Sequence, residues 1–153
     1  MCGIVGLFLK DKALEPGLGG MLSQMLITMT DRGPDSAGIA VYSGGDAGRL
    51  KVSVQSEDPD TDFDALHATL VEAIGDSFEM ERKSTHAIVS LAETNLPTFK
   101  AVLAERYPHL TTMSRGQTME IFKEVGLPKD VVARFGIEAM TGTHGIGHPR
   151  VAT

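Results

Sequence analysis

The residue best placed to do chemistry is Cys2, the single cysteine of the chain, directly behind Met1. Removal of Met1, which a small second residue favours, would leave Cys2 carrying a thiol and a free α-amine on one carbon skeleton. A cysteine thiol ordinarily titrates near about 8.5 and an α-amine near about 8, so at neutral pH the amine can take up the thiol proton, directly or through one water. The thiolate can then attack a carbonyl carbon and give an acyl-enzyme that water cleaves. Gly3 suits a backbone that turns tightly and comes close to a substrate. Position alone also fits an inert, small apolar side chain, the commoner role of a lone cysteine.

Two further places could serve that chemistry. Arg32 and Asp35 flank Gly33-Pro34, where a permissive residue precedes one of fixed φ, so both would project from a defined loop. An ordinary helix stop with a surface ion pair would look the same. Arg150 follows a glycine-rich run, Gly142 to Gly147, and a guanidinium there can grip a carboxylate through two parallel hydrogen bonds. That run lacks the strand, glycine pattern and helix of a dinucleotide site, so no cofactor is expected. His144 and His148 would share a face on a helix, but on a strand with no cysteine or carboxylate nearby they make a poor metal pair, and no metal is expected. Asp60, Asp62 and Asp64 alternate like the start of a calcium loop, yet Ala65 and Val71 stand where glycine and glutamate are required.

The elements that must hold these residues follow from periodicity. Residues 3–9 are a short apolar run bounded by glycine and charge, a buried strand that would carry Cys2 rigidly. Leu18, Met21, Leu22, Met25, Leu26 and Met29 recur at three- and four-residue spacing, an amphipathic helix whose stripe packs into the core. Ala37–Tyr42 and Leu50–Val54 read as strands, with Gly44–Gly48 as the hairpin between them. A helix from about Phe63 to Ile74, with acids at its start, precedes a strand at Thr85–Leu91 and a helix from Pro97 to about Tyr107. Ser114–Ile137 reads as two helices around Gly126, like a DNA-reading helix-turn-helix, but Arg115, Lys123, Lys129 and Arg134 are balanced by Glu120, Glu124 and Asp130. A helical hairpin packed on the domain or a partner subunit is expected instead. Residues 142–150 read as a last strand whose end delivers Arg150.

At 153 residues and 42% hydrophobic content, one domain with a real core is the default. A formal charge of −6 argues against nucleic acid or an anionic membrane as the main partner. One cysteine leaves no internal disulfide, and a working thiol suits a reducing compartment. Lys10, Asp11 and Lys12 interrupt the apolar start, so neither a secretory leader nor a membrane span is expected, and the location expected is cytoplasmic.

Three pieces together resemble the class II glutamine amidotransferases, a branch of the N-terminal-nucleophile hydrolases. They are Cys2-Gly3-Ile4, Asp31-Arg32-Gly33-Pro34-Asp35-Ser36-Ala37-Gly38, and Gly147-His148-x-Arg150-x-Ala152-Thr153. The segment between the second and third looks most like the glutaminase subunits of glutamate synthase-like systems, such as N-methylglutamate synthase. The resemblance implies an α+β fold, an α-β-β-α sandwich of antiparallel sheets, here incomplete at its C-terminal side and with an inserted helical segment at about 97–137. It implies Cys2 as nucleophile, Arg150 as holder of the glutamine α-carboxylate, Thr153 in the same pocket, and a pocket wall formed by the Gly33–Asp35 loop with Arg32 near the nucleophile. The reaction implied is hydrolysis of the glutamine side-chain amide, with ammonia passed to a partner synthase in an oligomer or hetero-complex. The family's oxyanion-hole Asn-Gly and amine-binding Asp have no counterpart here. Leu96 follows Asn95, the one asparagine. A weak or inactive chain when alone is therefore expected, since one lost oxyanion donor commonly costs about a hundredfold to a thousandfold in rate. Two rivals remain: a non-catalytic module of the same fold that docks on a synthase, and another N-terminal-nucleophile hydrolase acting on a different amide.

Overall fold

The computed structural model describes residues 2–151. They form two compact units, Met1–Gly44 with Ile121–Thr153, and Gly45–Glu120. Each is an antiparallel four-stranded sheet with helices, so the fold class is the expected α+β.

The first unit is built on β1 (Val5–Phe8), β2 (Ser36–Tyr42), β7 (Met119–Val125, beginning at the unit boundary) and β8 (His144–Arg150), in spatial order β1-β8-β2-β7. The glycine-rich strand β8 lies between β1 and β2, pairing Val5 with Gly147 on one side and Ile39 with Gly147 on the other. Helix α1 (Leu18–Thr28) buries Leu18, Leu22 and Leu26, one every four residues, as the sequence stripe predicts. The alternate residues Gly145 and Gly147 face it. A methyl group on either would stand 2.7–2.8 Å from Leu22 or Leu26, so these glycines are what lets the helix close on the sheet. Helix α4 (Pro128–Phe135) starts on a first-turn proline, buries Val131, Val132 and Phe135, and stops at left-handed Gly136.

The second unit contains β3 (Arg49–Gln55), β4 (Phe78–Lys83), β5 (His86–Ala92) and β6 (Thr111–Gly116), in order β4-β5-β3-β6. Helices α2 (Pro59–Ile74) and α3 (Leu96–Arg106) supply Phe63, Leu66, Leu70 and Phe99 to a core shared with Val54, Val89 and Leu91. Helix α2 opens at Pro59, four residues before the expected Phe63, so the acids Asp60 and Asp62 form its first turn rather than a preceding loop. Ser56 Oγ–H donates to Asp62 Oδ2, and that bond holds the Asp62 carboxyl below the usual range. Partial burial opposes the shift, and His109, 2.9 Å from Oδ1, adds to it.

Two expectations are corrected. Residues 111–125 are strands β6 and β7, so the helical hairpin across Ser114–Ile137, and with it the all-helical character of 97–137, is confined to α3 and α4. β6 pairs with β3, whereas β7 joins the sheet of β2. Similarly, β2 and β3 sit in different sheets, so Gly44–Gly48 is a crossing between units and no hairpin turn. Among the described residues no helix is long and apolar enough to cross a membrane.

Candidate functional site

Strand β1 begins three residues after Cys2, and its ladder with β8 runs on past the strand's end. Gly3 N–H donates to the Pro149 carbonyl at 3.3 Å, in register with the pair Val5 and Gly147. Cys2 and Arg150 are the residues next to that bond, one before Gly3 and one after Pro149. Residues opposite one another in an antiparallel pair point to the same face. Gly3 and Pro149 belong to the α1 side: a Cβ on Gly3 would meet Met29 Cε at 2.5 Å and Pro149 Cγ at 3.7 Å. By alternation along β8 Arg150 belongs to the other face, and both Cys2 and Arg150 are exposed.

The Arg32–Asp35 loop closes on the same corner. Arg32 Cβ lies 3.7 Å from where a Gly3 side chain would begin, and the exposed Arg32 is the last residue of a short 3-10 turn after α1. Gly33 was expected for backbone freedom, but its φ of −169° is extended and open to any residue. Its need is space: a Cβ there would lie 2.4 Å from Arg150 N and from the Pro149 carbonyl carbon. Pro34 bridges Arg150, and Asp35 N–H donates to the Arg150 carbonyl at 3.1 Å. Asp35, half buried, also accepts at its carbonyl from Gly126 N–H at 2.9 Å. The backbones of Gly3, Gly33, Asp35 and Arg150 thus meet within one corner of the first unit. Met29, whose thioether lies against Gly3, is a neighbour the sequence stripe had assigned only to the core.

Thr153 and Met1 lie outside the described residues. His144, expected to be structural, stacks on Tyr42 with ring centroids 4.0 Å apart. Asn95 belongs to the second unit, where its Nδ2 donates to Ser77 Oγ at 2.9 Å. Among the described residues no three His, Cys, Asp or Glu side chains gather as metal ligands. Chemically, the corner brings an exposed thiol and an exposed guanidinium to the residues either side of one backbone hydrogen bond.

Over its whole length the chain is 57% identical to "Glutamine amidotransferase-like protein GlxB" of Rhizobium meliloti, covering 50% of that protein. It is 28% identical, over 162 aligned residues, to "Putative glutamine amidotransferase" of Methanothermobacter thermautotrophicus, covering 52% of it. The chain spans about half the length of the curated relatives it matches. These likenesses support a glutamine amidotransferase relationship. No protein-family model matches the chain.

Proposed function

We propose that this chain is the glutaminase portion of a class II glutamine amidotransferase, in which Cys2, freed of Met1, is the nucleophile. The observation that carries the reading is the Gly3 to Pro149 hydrogen bond of 3.3 Å, which joins the strand start bearing Cys2 to the strand end bearing Arg150. Arg150 holds the α-carboxylate of glutamine through paired hydrogen bonds, and Arg32 and Thr153 complete that pocket. Its side-chain amide then reaches the thiol. The α-amine takes the thiol proton, sulfur attacks the amide carbon, and the C–N bond breaks as the amine returns the proton to the departing ammonia. Water, deprotonated by the same amine, attacks the thioester and releases glutamate. The sum is glutamine plus water giving glutamate plus ammonia, and the ammonia passes to a synthase partner.

Gly3 serves by leaving Met29 and Pro149 room beside the nucleophile, and Gly33 by letting the loop lie on the backbone of Arg150. The test is glutaminase activity of a polypeptide of the relatives' length that carries this sequence. Cys2→Ala is expected to reduce ammonia release at least about a thousandfold, and N-terminal mass is expected to show Met1 removed. Undiminished release by Cys2→Ala, or an active protein that keeps Met1, would overturn the mechanism.

A further inference from the structure

Strand β1 is an edge strand, paired among the described residues only with β8. Gly3 N–H and Leu9 N–H both point to β8, donating to Pro149 and Thr143 at 3.3 and 2.8 Å. In an antiparallel ladder this alternation turns the N–H and C=O groups of Ile4, Gly6 and Phe8 to the open side. The side chains of Ile4 and Phe8 are equally open, 72% and 68% exposed. Ile146, 44% exposed, stands opposite Gly6 on the same face, and the Phe8 ring leans on His144 at 5.6 Å. β1 contains no charge, proline or bulge, the devices by which soluble proteins block such an edge. An unblocked row of backbone donors and acceptors beside apolar side chains fits an added strand.

We propose that this edge takes a β-strand from the half of a relative-length polypeptide that the present chain does not match. The relatives carry the equivalent of this whole chain within one polypeptide about twice as long. Covalent connection gives their remaining half an effective concentration near the millimolar range, which a second free copy does not reach. The occupant is an amphipathic strand: its backbone completes the bonds of Ile4, Gly6 and Phe8, and its apolar side chains cover Ile4, Phe8 and Ile146. This pairing needs no chemistry at Cys2, so it stands or falls apart from the proposed reaction.

The experiment is residue-resolved amide hydrogen exchange on two proteins, the chain alone and the chain joined in the relative's own order to the unmatched half of the Rhizobium meliloti protein. In the chain alone, exchange is expected to be fast at Ile4, Gly6 and Phe8 and slow at Val5 and Leu7. In the joined protein the first three should slow at least about a hundredfold, erasing the alternation. Ile4→Lys with Phe8→Lys should leave the melting of the chain alone unchanged and restore fast exchange in the joined protein. Fast exchange at Ile4, Gly6 and Phe8 in the joined protein would overturn the proposal. So would slow exchange there in the chain alone together with a dimeric mass, since the occupant would then be a second copy.

Discussion

The two sheets differ most at their margins. In the second unit both outer strands are blocked. β4 reads Phe78-Glu79-Met80-Glu81-Arg82-Lys83, with Arg82 paired to Asp64 and Lys83 Nζ 3.1 Å from Glu81. β6 shifts register against β3 between Ser53 and Val54, the kind of irregularity that twists an outer strand away from further pairing. In the first unit β7 carries Glu120, Lys123 and Glu124, while β1 carries only Val5, Gly6, Leu7 and Phe8. Charge at a margin keeps other chains away, and its lack invites them. One unit is therefore finished as it stands, and the other offers the strand next to Cys2 for completion.

The largest expected effect separates a closed core from an open face. Phe63→Ala should cost about 3–5 kcal/mol, because the ring is fully buried beneath the second sheet. Phe8→Ala in the chain alone should stay within about 0.5 kcal/mol. Chemical denaturation measures both, and equal costs would show that Phe8 is already covered. Gly33→Ala comes next. A methyl 2.4 Å from Arg150 N must push loop and strand apart, at about 1–3 kcal/mol, with faster exchange of the Asp35 amide as the local sign. Unchanged exchange there would mean the loop is not pressed on the strand. A smaller effect of opposite sign is expected on α1, where Ser23 Oγ is fully buried without a hydrogen-bond partner among the described residues. Ser23→Ala should raise stability by about 1 kcal/mol, read from the melting temperature, and a loss would reveal a missing partner.

The smallest effect is a pH dependence in the second unit. The Asp62 carboxyl titrates below its ordinary 3.8, chiefly through Ser56 and, against the opposing pull of burial, also through His109. A lowered folded value makes the contribution complete above the ordinary value and lost as pH falls through the lower one. Melting temperature should therefore fall more steeply below about pH 4 in the wild type than in Ser56→Ala. Parallel curves would remove Asp62 from the account.

Much of this was legible in the residues. The runs at 3–9, 37–42 and 142–150 fold as β1, β2 and β8, and the leucine stripe folds as α1, because each pattern reports its own burial. What failed was decided by partners far along the chain. Met119, Ile121, Phe122 and Val125 have spacings that a helix could use, but β7 is drawn into the sheet of β2, some eighty residues earlier in sequence. β4 left little apolar signal, since an outer strand needs few buried side chains. At the candidate site, the residue types of Cys2, Arg32 and Arg150 were readable, and so was the need for Gly33. Its reason was not, because the crowding comes from Pro149 and Arg150 on a strand more than a hundred residues away.

The pairing of β1 with β8 also sets an order of events during synthesis. Gly45–Glu120 is one continuous stretch and can fold once it has left the ribosome, whereas Val5 must wait for Gly147 before its ladder can begin. Until Gly147 has been made, Val5 therefore has no ladder partner on β8. On the proposed mechanism, that interval is when a methionine-trimming peptidase would act, before the Gly3 to Pro149 bond closes next to Cys2.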